Sequence, residues 1–153
     1  MVLPEPIVIR PAIQLDVDAM VAERTRDEGQ QSELRRRMTG YLAGTYSPRE
    51  ALDDRAVFTA EVSGVFAGYI AGHRSTRWGC SGELQWLNVV AEFQSRGVAD
   101  QLFLALADWY SSAGITSVCV NVGEDNTRAR SFYIRHGATR LHEHWMHWMQ
   151  IGR

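Results

Sequence analysis

Residues 94–106 read QSRGVADQLFLAL, a polar loop that runs directly into an apolar helical pattern. Val98, Leu102, Ala105, Leu106 and Trp109 recur at helical spacing, so the helix begins near Val98. Arg96, Gly97, Val98 and Ala99 stand at its start, and none is an ordinary Ser, Thr, Asp or Asn cap. Either the join is a plain tight turn, or its uncapped N–H groups hold an anion at the positive end of the helix dipole. Gly97 and Ala99 keep the backbone approachable, and Gln94 and Arg96 bring side-chain donors. The spacing fits neither G-x-x-x-x-G-K-[ST] nor G-x-G-x-x-G, which removes most support for a nucleoside triphosphate or a dinucleotide.

Working outward, ELQWLNVV (83–90) reads as the buried strand that feeds this loop. Before it, Ala56 to Val62 and Val65 to Gly72 form a hairpin around Ser63-Gly64, followed by the polar loop HRSTRWGCSG (73–82). Ile7 to Arg10 is a short strand stopped by Pro11. Asp16 is placed to cap a first helix carrying Ala19, Met20 and Glu23. Ser32 is placed to cap a second, with Leu34, Met38, Tyr41 and Leu42 on one stripe and Arg35 to Arg37 on the solvated flank. Downstream, Ser112-Ala113-Gly114 ends the helix from Val98, and Thr116 to Val122 is a strand. Asn126 to His136 is a helix with Gly137 as its stop, and residues 139–151 are β-like, as one bent strand or two. The order β-α-α-β-β-β-α-β-α-β predicts one α/β domain over residues 1–153, a mixed central sheet with helices on both faces.

Composition narrows the function classes. The 153 residues suit a single domain with its own core. A formal net charge of −2 gives no reason to expect nucleic acid or an anionic membrane as partner. Every one of the 16 basic residues is Arg, which excludes a Lys general base or Schiff base. Cys80 and Cys119 lack CxxC spacing, so neither a zinc site nor a redox pair is expected, and Cys119 among valines reads as a small buried hydrophobe. No apolar run approaches 18 residues, and MVLPEPIVIR carries no basic leader region, so a cytoplasmic location is expected.

Several short motifs follow one another in a telling order. QSRGVA resembles the [QR]-x-x-G-x-[GA] pyrophosphate loop of the GNAT N-acyltransferase superfamily. IVIRPAIQLDVDAM is similar to that family's first strand and helix entry, and GELQWLNVVAEFQSRGVADQL to its fourth strand, loop and third helix. VNVGEDNTRARSFYIRHGA resembles the fifth strand and fourth helix, with Asn126, Ala129 and Tyr133 at N-x-x-A-x-x-x-Y spacing. The likeness spans nearly the whole chain and is strongest from Gly82 to Ala138. It implies an acetyl-CoA site whose pantetheine arm lies between splayed fourth and fifth strands. The backbone of Leu87, Val89 and Val90 would pair with that arm, and Gln94, Ser95, Arg96, Gly97, Val98, Ala99 and Asp100 would cradle the pyrophosphate. Asn126 would lie near the arm and Tyr133 near the sulfur.

The implied chemistry is acetyl transfer to a primary amine by direct attack, with no metal. The amine must lose a proton, the thioester oxygen needs a donor, and the departing thiolate needs a proton. Glu83, eleven residues before Gln94, stands where many family members carry a catalytic carboxylate. Strand alternation puts Glu83, Gln85, Leu87 and Val89 on one face. A salt-bridged carboxylate at a strand start is the plainer reading of Glu83, and a packing tyrosine that of Tyr133, the expected general acid. The Val89 N–H is the expected donor to the thioester oxygen. A non-catalytic acyl-CoA-binding or sensing domain on the same fold is the alternative function. The acceptor, a small-molecule amine or a peptide or protein amine, carries no readable motif, and the resemblance admits a homodimer. His142, His144 and His147 are too poorly disposed along a strand for a metal site, and Arg74, Arg77 and Trp78 read as an ordinary exposed loop in preference to an acceptor-site wall favouring an anionic or aromatic substrate.

Overall fold

The computed structural model describes residues 5–152, so the leader reading of the first residues falls partly outside the described residues. The elements are β1 (Ile7–Pro11), α1 (Val17–Arg24), α2 (Glu28–Ala43), β2 (Ala51–Val62), β3 (Val65–Ser75), β4 (Gly82–Val89), α3 (Val98–Ser112), β5 (Val118–Asn121), α4 (Thr127–Arg135), β6 (Thr139–His142) and β7 (Trp145–Trp148). They build one mixed sheet in the order β1-β2-β3-β4-β5-β7-β6. Among the described residues only β4 and β5 run parallel; the other neighbours are antiparallel. The expected order holds, and the C-terminal run proves to be two strands that turn at Glu143-His144, where His144 takes a φ of 61°.

Each face of the sheet carries its own core. On one, Leu102, Leu106 and Tyr110 of α3 pack on Ile70, Leu84, Val118 and Val120. On the other, Met20, Val21, Met38 and Tyr41 of α1 and α2 pack on Val57, Tyr69, Ala71 and Trp86. Two helix starts differ from expectation. Asp27, with extended backbone, caps α2 a turn earlier than Ser32, accepting from Gly29 and Gln30 N–H at 2.9 and 3.2 Å. Asp16 turns away from α1 because Arg10 and the Ile13 N–H claim its carboxylate.

Two irregularities in β4 shape everything that follows. First, β4 pairs with β5 only over Gly82–Leu84 against Val118–Val120, so its outer edge is open from Gln85 onward. Second, Trp86 lies opposite Ala71 while Leu84 lies opposite Gly72, which makes Gln85 the extra residue of a β-bulge. The bulge reverses the alternation. Leu84, Leu87 and Val89 face α3 and α4, whereas Trp86 and Asn88 join Glu83 on the α1–α2 side. The expected common face for Glu83, Leu87 and Val89 is therefore corrected: the strand presents its carboxylate on one side and these two apolar side chains on the other. Tyr110 anchors this region, donating its hydroxyl to the Glu83 carbonyl at 2.7 Å. Gly72 and Gly82 make that approach achievable, since a Cβ at Gly82 would lie 2.8 Å from the Tyr110 ring.

Candidate functional site

The loop from β4 to α3 is built around two left-handed residues, Ser95 at φ 62° and Gly97 at φ 86°. Gly97 is the N-cap of α3, with no side chain capping the helix. The first helical bond runs from Gln101 N–H to the Gly97 carbonyl at 3.1 Å. The N–H groups of Val98, Ala99 and Asp100 therefore have no partner within the helix, and alternating backbone handedness draws them into a concave nest. They open on a cleft of about 440 Å³ lined by Leu87, Val89, Gln94, Ser95, Gly97 to Asp100, Asn126 and Tyr133. The open edge of β4 forms its wall. Val90 N–H donates to the Ala67 carbonyl at 2.8 Å, on the β3 side. By alternation the peptide groups of Leu87 and Val89 face the gap instead.

Some expected contributors stand elsewhere. Val90 turns its N–H to β3, and Val90 and Arg96 are both absent from the cleft lining. Arg96 reaches outward, 3.9 Å from Glu5 and 5.6 Å above the Phe93 ring. Gln94 folds its amide back onto the Val89 carbonyl at 3.1 Å, so that carbonyl is occupied. Asn126 uses its side-chain oxygen to cap α4, accepting from Ala129 N–H at 3.2 Å. Asp100, although partly desolvated, is held below the usual carboxylate range by His136 at 2.7 Å and Arg135 at 3.0 Å. Sequence reading missed Arg128 and Arg135, which bring cations to the cleft from one face of α4. The signal was their seven-residue spacing, two helical turns apart.

Glu83 lies on the far side of β4, lining a second cavity of about 260 Å³ with Arg24, Arg77, Gln85, Trp86, Asn121 and Trp145. Its side chain is 6 % exposed. Burial raises its pKa above the ordinary carboxylate value, Arg77 opposes that shift, and Glu50 adds to it. Arg77 Nε stands 3.5 Å away, too far for a good hydrogen bond, so their attraction is mainly coulombic. His73, fully buried, places Nε2 3.8 Å from the same oxygen, while its Nδ1 meets the Tyr41 hydroxyl at 2.9 Å. Burial, with the charges of Arg55 and Arg77, pushes His73 down to about 4, so the ring is neutral at physiological pH. Glu83 Oε1 is thus sealed against His73 and Arg77, which leaves Oε2 for the cavity. Two of these neighbours come from the stretch 73–82 that read as a polar loop: His73 lies on β3, opposite Glu83 in register, and Arg77 in the turn that follows. The register of β3 on β4 sets His73, and the Thr76–Gly79 turn, in which Trp78 takes a φ of 55°, carries Arg77.

Tyr133 is buried on the inner face of α4, packed edge-on against Phe132 and Trp148, and burial pushes it up to about 12. The remaining residues singled out in the sequence have structural surroundings. His142 stacks on Trp78 at 4.5 Å, His144 makes the β6–β7 turn and His147 pairs with Cys119 across β5. Cys80 and Cys119, distant in sequence, share a small buried cluster with Trp145. Among the described residues no helix is long and apolar enough to cross a membrane.

Comparison with known proteins agrees with this fold. No curated protein matches the chain. Among solved structures, the PaiA N-acetyltransferase of Thermoplasma acidophilum, in complex with coenzyme A, superposes with a TM-score of 0.71 at 15% identity, covering 94% of this chain and 98% of its own. PH1933 of Pyrococcus horikoshii OT3 reaches 0.75 at 18% identity, covering 97% and 99%. At such identities the likeness establishes the fold. Residues 20–138 match the acetyltransferase (GNAT) family, more than half of the chain, and the protein belongs to that family.

Proposed function

We propose that this chain transfers the acetyl group of acetyl-CoA to a primary amine by direct attack. One observation carries the reading: the N–H nest of α3, unpaired among the described residues, adjoins an open β4 edge, and a buried carboxylate stands on the opposite face of the same strand. A pyrophosphate calls for convergent N–H donors, and a pantetheine arm for peptide partners along a strand. The residues present fit both demands. Val98, Ala99 and Asp100 N–H would hold the pyrophosphate, with Arg128 and Arg135 as cations at the rim. Leu87 N–H and C=O and the Val89 N–H would pair with the arm, and the Val89 N–H would also be nearest to a developing oxyanion.

Acetyl-CoA supplies the activated acyl group as co-substrate. The chain's own work is proton management. Glu83 Oε2 takes a proton from the acceptor ammonium, the N–C bond forms as the C–S bond breaks, the Tyr133 hydroxyl gives its proton to sulfur, and the tyrosinate recovers one from the still-protonated nitrogen of the new amide. Tyr133 suits that task because it stays protonated at neutral pH. Its replacement by Phe is expected to lower kcat by about a hundredfold, with the acetyl-CoA dissociation constant unchanged. Equal losses in both quantities, or a loss in neither, would remove the acid role.

Calorimetric titration with acetyl-CoA, followed by an assay of thiol release over a panel of primary amines, tests the whole reading. Binding together with amine-dependent release is expected. Binding without release from any amine would make this a sensing domain on the same fold. Absence of binding would reduce the loop to a turn. The cytoplasmic location expected from the sequence accompanies the enzyme reading.

A further inference from the structure

The second cavity has an electrostatic imbalance that bears on the acceptor. Its ionisable side chains are Arg24, Arg77 and Glu83. Arg77 is matched: its Nε faces Glu83 at 3.5 Å and its guanidinium lies 4.8 Å above the Trp145 ring. Arg24 is not. It projects from the last turn of α1 and donates through Nη1 to the neutral amide oxygen of Asn88 at 2.9 Å. It forms no salt bridge with a carboxylate among the described residues. The Tyr69 hydroxyl donates to the same Asn88 oxygen at 2.8 Å, so the anchor for Arg24 is itself fixed.

Asn88 lies five residues beyond Glu83 on β4, on the same side of the strand, so the two charges mark opposite ends of one cavity. We infer that the acceptor is a small zwitterionic amine, with its nitrogen at Glu83 and a carboxylate or phosphate on the Arg24 guanidinium. This rests on the acyl-transfer reading. An acceptor with an ammonium group alone would add a third positive charge to two guanidiniums and one carboxylate. A polyamine would worsen the imbalance, and a protein side-chain amine carries no anion of its own for Arg24. An acceptor bearing its own anion relieves it, and the planar guanidinium fork suits a carboxylate or phosphate. The volume, about 260 Å³, takes a molecule the size of one amino acid, and the edges of Trp86 and Trp145 give its apolar part a wall.

Two matched pairs of acceptors test this, with kcat/KM for acetylation as the readout. L-Phenylalanine is set against L-phenylalaninol, and 2-aminoethyl phosphate against ethanolamine. At least one anionic member should exceed its neutral analogue by about tenfold or more, the lower range for a charge-assisted hydrogen bond. The pair that responds identifies carboxylate or phosphate as the anion. In Arg24→Gln that ratio should fall to near one, and in Arg24→Lys most of it should survive. Neutral members used as well as anionic ones, a ratio that persists in Arg24→Gln, or rejection of both anionic amines would overturn the inference. Calorimetry separates this from a deeper failure: a protein that binds acetyl-CoA and acetylates only neutral amines retains the acyl-transfer reading and loses this one. A protein that does not bind acetyl-CoA loses both.

Discussion

Replacing Glu83 by Gln is expected to lower amine acetylation by about 10²–10⁴-fold while leaving the acetyl-CoA dissociation constant unchanged. The two quantities separate because Glu83 and the N–H nest lie in different cavities on opposite sides of β4. The pH profile gives an independent check. Burial lifts the Glu83 pKa above 4.5, so the proton-accepting carboxylate is lost as pH falls through that raised value. Wild type should show an acid limb there, and the Gln variant should lack it. His73, pushed down to about 4, is already neutral over this range and supplies no limb above about pH 5.

Stability should move against activity. A carboxyl group with a raised pKa binds its proton more tightly in the folded state than in the unfolded one. Its contribution to stability is therefore full at low pH and is lost as pH rises through the folded pKa. The upward direction already includes the attraction of Arg77, so the burial penalty on the charge outweighs the ion pair. Gln carries no such charge. Thermal melts at pH 7.5 should find the variant at or above wild type, with the gap closing towards pH 4. A Gln variant that keeps its rate, or a profile whose acid limb survives the substitution, would remove Glu83 as the base.

The fold was legible because most of its elements announce themselves locally. Ser63-Gly64 makes the hairpin turn with φ values of 51° and 77°, and the stripe from Val98 to Trp109 packs as its spacing predicts. Gly137 ends α4 at φ 96°. The site was legible along the loop and only partly at the base. The obstacle was the bulge at Gln85, since strict alternation places Glu83 beside Leu87 and the structure separates them. The consecutive apolar pair Trp86-Leu87 was the available sign, because a half-buried strand does not normally put two large apolar residues in succession unless both faces are covered. Here both are covered, Trp86 by α1–α2 and Leu87 by the α3 core. His73 and Arg24 had no local signal at all, and Arg77 only that of a polar loop that reads equally as solvent-exposed. Arg24 and Arg77 meet the second cavity from separate elements, His73 is buried beside Glu83 on a third, and only tertiary packing brings them together.

Gly97→Glu is expected to abolish acetyl-CoA binding, a loss of more than about a hundredfold, and the comparison with Gly97→Ala explains why. Gly97 holds a φ of 86°, where any residue with a Cβ is strained by about 1–2 kcal/mol. A Cβ there would meet no atom within 4 Å, so both substitutions incur conformational strain without a clash. Ala adds only that strain, and its effect on binding should stay within about tenfold, as 1.4 kcal/mol corresponds to one factor of ten. Glu adds a carboxylate within reach of the unpaired N–H groups of Val98, Ala99 and Asp100, the same donors a pyrophosphate would use. It would occupy the nest as a tethered anion and repel the phosphates through its charge, beside an Asp100 carboxylate already held ionised by His136 and Arg135. Calorimetry on the three proteins therefore distinguishes an anion site from a turn. If the loop is only a turn, Ala and Glu should act alike, since they share the strain. If it is an anion site, the difference between them is electrostatic and should shrink as added salt screens the exposed part of that charge.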